Sequence, residues 1–306
     1  MRNRLKEFKE DTVPQPMRFS DIYSKNEFVL SYELFPPKTD QGLLSLNEHV
    51  KRLLTYNPHF ITCTYGAGGS TRDRTLTTIA EVLTLTDIPV ASHLTCVQAS
   101  SEEIAAYVQK AAAMGISNIV AIRGDIPDGH DTFQPTEGGF AYANELVNFL
   151  NTEFPSLGIA VGGYPEKHPE AISPEADIEN LKRKVDAGSD IIITQLFYNN
   201  EDFYRYRDQC QVAGIQVPIV PGIMPVTSFG QLKRVTSLGA SAIPEKFASD
   251  LERHEGDEEA QFKIGIDFAI AQTNDLNDHG IPGLHFYVLN KSKATMAVLH
   301  ELHPLH

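Results

Sequence analysis

Side chains able to do chemistry recur at the ends of short apolar stretches in this chain. Glu33 closes the run FVLSYE, where a buried strand ordinarily carries Val or Leu. A carboxyl among apolar groups has a raised pKa and holds its proton near neutral pH, as a general acid must. The same residue could serve as a surface acid or as half of a structural ion pair. Thr64 and Tyr65 stand at the end of FITCT, and His93 and Thr95 close VASHLT. Arg123 ends IVAIR, with Gly124 and Asp125 next. Tyr164, Glu166 and His168 follow IAVGG, Gln195 lies in IIITQL, and Tyr287 and Lys291 belong to HFYVL and its continuation. Asp125 could instead be a turn former, and His93 a packed histidine. An amide such as Gln195 inside an apolar strand must be hydrogen-bonded, to protein or to ligand.

Three further patterns carry less. Residues 180–184, NLKRK, form the densest cationic cluster. They are either a solvated helix surface or a phosphate clamp with His168. Gly66–Ser70, GAGGS, lacks the GxxxxGK[ST] form of a phosphate loop, which leaves a turn or a backbone wall against a flat ligand. His300 and His303 in HELH do not share a helix face, so no metal is expected.

The elements that must position these residues alternate. Apolar, β-branched runs fall at 28–33, 60–64, 90–95, 119–123, 159–163, 191–196, 219–222 and 285–289. Several are apolar throughout, as in strands covered on both faces. Helical patterns lie between them: 101–114 opens with Ser and acids and stops before Gly115, and 174–187 opens with Pro and stops before Gly188. Eight βα units predict a closed (β/α)8 TIM barrel. The rival doubly wound sheet usually carries GxGxxG after its first strand, and ELFPPKTDQG is no such turn. No linker interrupts the pattern. Residues 1–306 read as a single domain, with an N-terminal extension or helix over 1–20 and a helical insertion over 240–282 before the last strand.

Composition bounds the partners. The chain has 306 residues and a net charge of −14, which argues against nucleic acid or anionic membrane as the main partner. Three widely spaced cysteines, Cys63, Cys96 and Cys210, fit reduced thiols in a cytoplasmic protein. No segment approaches the apolar length of a membrane span.

In order from residue 31 to 290, SYELFPPK, TCTYGAGGSTRDR, SHLTC, AIRGD, GGYPEKHPEA, LKRKVDAG, ITQLFY, PGIMPV and HFYVLN closely resemble the bacterial-type methylenetetrahydrofolate reductases. The chain has the length of that family's catalytic barrel alone. The resemblance implies a barrel with tightly bound FAD at the strand C-termini. NADH or NADPH reduces the flavin, and 5,10-methylenetetrahydrofolate then accepts the hydride. The product, 5-methyltetrahydrofolate, supplies methyl groups for methionine synthesis. Glu33 takes the place of the family's general acid, which opens the folate's five-membered ring to an iminium. Asp125 falls where a carboxylate stabilises that cation. Gln195, Tyr287 and Lys291 fall at folate contacts. Thr64, His93, Arg123, Gly124, Asp125, Tyr142, Tyr164, His168, Asp177, Asn180, Arg183 and Lys184 fall at flavin contacts, with His168, Arg183 and Lys184 offsetting the diphosphate. Two departures stand out: Lys291 replaces a frequent arginine, and Val235 replaces an aromatic of some relatives. A homo-oligomer is the family expectation. The competing readings are a flavin-free barrel lyase or aldolase, which would use a strand-end lysine or a metal, and a non-catalytic folate- or flavin-binding protein.

Overall fold

The computed structural model describes residues 17–65, 72–126, 132–237 and 241–302. The Gly66–Ser70 loop, His303 and residues 1–16 of the expected N-terminal extension lie outside the described residues. Among the described residues nine strands form one parallel sheet: β1 Val29–Leu34, β2 Phe60–Cys63, β3 Val90–Thr95, β4 Asn118–Ile122, β5 Gly158–Gly163, β6 Ile191–Thr194, β7 Ile219–Val220, β8 Gly222–Ile223 and β9 Gly283–Tyr287. The helices are α1 Phe19–Lys25, α2 Asp40–Leu54, α3 Arg72–Leu83, α4 Ser101–Ala113, α5 Ala143–Glu153, α6 Pro174–Asp186, α7 Asn200–Val212, α8 Phe229–Ser237, α9 Glu245–Arg253, α10 Glu258–Asp278 and α11 Lys293–Glu301. The alternation is that of the expected barrel. The 240–282 stretch holds α9 and α10.

Strand seven of the barrel is where the reading of eight runs needed refinement. It breaks at Pro221, whose ring nitrogen has no hydrogen to donate. Before the break β7 pairs with β6; after it β8 pairs with β9. The Pro221 carbonyl still accepts the His285 N–H at 3.0 Å. The Gly222 N–H bonds the Thr194 hydroxyl at 2.9 Å, so a side chain closes the seam that the ladder leaves open. Two further runs shift by two residues, and others by one at an end. The sixth strand stops at Thr194, which places Gln195 just beyond it. The last runs 283–287 instead of 285–289, because Leu289 and Asn290 adopt positive φ of 49° and 57°. Asn290 suits that conformation. Its amide clasps the Phe35 backbone from both sides, accepting from the N–H at 2.8 Å and donating to the carbonyl at 2.7 Å.

Strand alternation sorts β1 between two cores. Phe28, Leu30, Tyr32 and Leu34 face outward, in the shell where Leu46, Val50 and Leu53 of α2 also pack. Val29 faces inward, so Ser31 and Glu33 point into the barrel with it. The floor is closed by α1. Its Phe19 and Ile22 pack on Val29, Phe60, Ala91, Val120, Ala160, Ile191 and Ile193. The Phe19 N–H is anchored on the Asn118 side chain at 2.8 Å.

Candidate active site

Inside the barrel, above the α1 floor, the residues become polar. Glu33 is register partner to Thr62 on one side and to Tyr287 on the other. The residue is only 6% exposed. The Glu33 Oε2 atom lies 3.3 Å from His93 Nε2 and 4.0 Å from His285 Nε2. Burial lifts the Glu33 carboxyl to about 7, opposed only by His93. Burial also lowers His93, so near neutral pH a largely neutral imidazole meets a carboxyl that still holds much of its proton. At 3.3 Å it is too poorly aligned for a hydrogen bond, and His93 Nε2 stays unsatisfied. The flanking residues Phe28, Leu30 and Leu34, which the sequence suggested as the apolar lining of the acid, point the other way, and Phe35 is exposed. The lining comes from β2, β3 and β9 instead.

A second group stands on the adjoining side of the mouth. Tyr164 packs edge-on against His168 at 4.6 Å between ring centres. The His168 N–H donates to Asp177 at 2.8 Å, which joins the loop after β5 to α6. Lys184 turns inward from α6 and donates to the Gly162 carbonyl at 2.5 Å; burial lowers it to about 8 against the pull of Asp177. Burial, then Asp177 and Asp125, push the Tyr164 phenol up to about 12. The two groups meet at Tyr287. Its hydroxyl donates to the Thr194 carbonyl at 2.8 Å, and its pKa is raised by burial first, then by the charges of Glu33 and Tyr164.

Other expected residues lie further out. The Arg123 guanidinium is engaged by Glu170 through two 2.6 Å bonds and covers the Phe133 ring at 5.1 Å. Asp125 is exposed beside it. Gly124 has φ +88°, and a Cβ there would strike Val97 at 2.6 Å, so only glycine fits. Tyr142 is 61% exposed. The cationic run divides: Lys182 pairs with Asp186, exposed Arg183 bonds Asn180 at 3.0 Å, and Lys184 alone faces the barrel. Thr64, half-buried, continues the β1–β2 ladder through its N–H to the Leu34 carbonyl at 2.8 Å. Gln195 is half-buried, and its amide oxygen accepts the Leu196 N–H at 2.8 Å. That is the protein partner its amide required. Lys291 borders a cavity of about 550 Å³ together with Tyr287, Gln231 and Arg234, and no acidic residue among those described lines it. Among the described residues no cluster of three or more His, Cys, Asp or Glu suits a metal ion. No described helix is long and apolar enough to cross a membrane.

Ser31, Thr62, His285, Gln231 and Arg234 were not singled out from the sequence. Ser31 and His285 had a readable signal: each lies two residues before Glu33 or Tyr287, on the same strand face.

The chain is similar to known proteins along most of its length. The family model described as methylenetetrahydrofolate reductase matches residues 18–303. The Arabidopsis thaliana protein named methylenetetrahydrofolate reductase (NADH) 1 is 38% identical over 295 residues, covering 93% of this chain and 50% of that protein. The Escherichia coli 5,10-methylenetetrahydrofolate reductase is 38% identical over 273 residues, covering 89% of this chain and 90% of that protein. The chain thus spans about half the length of its plant relatives and nearly all of the bacterial one. A solved Clostridium thermocellum protein, described as binding two copies of 5-methyl-5,6,7,8-tetrahydrofolic acid, superposes with a TM-score of 0.63 at 17% identity, covering 91% of this chain and 95% of that one, a likeness of fold. With its family model matched over residues 18–303 and with relatives 38% identical, the chain belongs to the methylenetetrahydrofolate reductase family.

Proposed function

We propose that this barrel reduces 5,10-methylenetetrahydrofolate to 5-methyltetrahydrofolate with NADH or NADPH, through bound FAD, in the cytoplasm. The observation that carries the reading is the buried Glu33 carboxyl beside His93, at the strand C-termini where barrel active sites lie, with burial raising it to about 7. The residues present suit a flavin. A Cβ on Gly162 would meet nothing within 4 Å, so β5 leaves open room on its face. The buried Thr62 Oγ1, Thr95 Oγ1 and His93 Nε2 atoms have no protein partner, so polar atoms are available to a ligand. Lys184, Arg183 and His168 supply the donors that a diphosphate needs. When bound, FAD supplies the hydride that it has taken from the nicotinamide.

The chain's own residues do the rest. Glu33 holds the proton that the folate's ring opening consumes. Asp125, at the mouth, sets a negative charge against the cation that then forms. Gln195 can offer its amide hydrogens to the pterin while its oxygen stays on Leu196. Lys291 and Arg234 make the acid-free cavity attractive to the glutamyl carboxylates of a folate. Lys291→Ala is accordingly expected to raise KM for the folate about tenfold with kcat little changed, the loss of one charge-assisted contact. A steady-state KM equal to that of the unsubstituted protein would remove Lys291 from the site.

The deciding experiment is anaerobic. Purified protein should take up FAD and turn yellow. NADH or NADPH should bleach it, and methylenetetrahydrofolate should then restore the colour while 5-methyltetrahydrofolate accumulates. Protein that binds no flavin, or reduced flavin that the folate fails to reoxidise, would sink the reading. The homo-oligomer belongs to the same proposal, and light scattering on the flavin-loaded protein measures it.

A further inference from the structure

One buried titratable group inside the barrel has no part in the reaction as described above. His285, on β9, is fully buried. Its ring stacks on Phe60 at 6.2 Å and meets Tyr287 edge-on at 5.3 Å. Its two nitrogens face different partners. Nδ1 lies 2.8 Å from the Ser31 hydroxyl, and Nε2 faces Glu33 at 4.0 Å with no hydrogen-bond partner.

The Ser31 hydroxyl decides which nitrogen carries the hydrogen. Its own hydrogen goes to the Leu284 carbonyl, 3.3 Å away. Donating there leaves the Ser31 oxygen able to accept from Nδ1–H of His285 at 2.8 Å, the tautomer assigned below. A neutral imidazole has one N–H, so Nε2 is left bare, as an acceptor. Burial keeps the ring neutral by pulling it down to about 3. A bare acceptor aimed at a carboxyl favours the protonated acid, because only that form has a hydrogen to give. Glu33 is faced by His93 from β3 and by His285 and Tyr287 from β9; the Cys63 thiol of β2 lies on the outer face of the sheet, raised by burial first and then by the charge of Glu33. Of the two histidines, His285 is the one with a hydroxyl on its far nitrogen to set its hydrogen-bonding role. Contacts of this kind are often long before substrate binds and shorten afterwards.

We propose that His285 is a positioning residue for the Glu33 proton, held by Ser31 in the tautomer that presents Nε2 as an acceptor. The idea rests on Glu33 acting as the acid of the proposed reaction. It goes beyond that reading by assigning to Ser31 and His285 the reason why the proton stays on the acid until the folate needs it.

Ser31→Ala tests it with little disturbance of packing. Without the hydroxyl, the His285 N–H is free to move to Nε2 and donate to the carboxylate, which favours the charged acid. The pH profile of flavin reoxidation by the folate should then shift to lower pH, with about a tenfold loss of rate on its alkaline side. Ser31→Thr, which restores a hydroxyl, should move the profile back. A purely structural defect would lower the rate without moving the profile. In the flavin-loaded protein, nitrogen NMR of isotope-labelled histidine, assigned with His285→Gln, should show the hydrogen on Nδ1. A hydrogen on Nε2, or an unmoved profile in Ser31→Ala, would overturn the proposal. Wild-type protein whose flavin the folate fails to reoxidise would instead overturn the proposed function, and the NMR result would stand apart from it.

Discussion

Glu33→Gln is expected to bind flavin and to be bleached by NAD(P)H, yet to reoxidise with methylenetetrahydrofolate slower by about 10²–10⁴, the usual worth of a positioned acid. Stopped-flow absorbance of the two half-reactions measures both, and a normal folate step would end the acid role. In the unsubstituted protein the folate step should weaken as pH rises through about 7, because the acid must be protonated. The same substitution should stabilise the fold. The folded protein binds the Glu33 proton more tightly than the unfolded chain does. Stability present below the ordinary value of 4.5 is therefore lost as pH rises through about 7. The displacement corresponds to at most about 3 kcal/mol, which Gln does not forfeit. Urea midpoints of the two proteins should converge on the acid side of that interval and separate on the alkaline side, with Glu33→Gln the more stable. Parallel midpoints at all pH values would show that the acid is not strained by burial.

Gly222→Ala is expected to cost about 3 kcal/mol. A Cβ at this position would lie 2.2 Å from the Thr194 carbonyl oxygen and 2.5 Å from the Tyr287 ring. Neither can yield cheaply. That carbonyl accepts the Tyr287 hydroxyl, and the Gly222 N–H holds the Thr194 side chain across the seam. The clash therefore strikes barrel closure and the wall of the site together. A lower urea midpoint and weaker folate binding should appear in the same variant, and an unchanged midpoint would contradict the close approach.

Much of the fold could be read in the sequence, because parallel strands buried on both faces make short apolar runs and helix ends carry their own punctuation. The helix expected to open at Ser101 is capped one residue earlier, by Ser100 reciprocally with Glu103, and Gly115 lies just past α4 with φ +86° as expected. The break at Pro221 was not legible. Proline within IVPG is compatible with a strand end, and only the neighbours decide that the chain changes partner there. For the site, Glu33 stood out because an ionisable residue interrupts an apolar run. Its surroundings did not, since adjacent residues in a strand face opposite ways and the carboxyl meets β2, β3 and β9 instead. Lys184 and Arg183 show the same limit. They are neighbours in sequence, but a helix turns one into the barrel and leaves the other in solvent.

The α1 floor has a kinetic consequence. Phe19 and Ile22 fill one end of the barrel, which leaves the strand C-termini as the doorway among the described residues. In the proposed reaction the nicotinamide and the pterin must use it in turn, since both have to reach the same flavin. Each substrate in excess should then obstruct the other. Raising the pyridine nucleotide at fixed folate should at first speed turnover and then depress it, and excess folate should do the same to the nucleotide. A bottom helix with no catalytic group would thus set the concentration window in which the enzyme turns over.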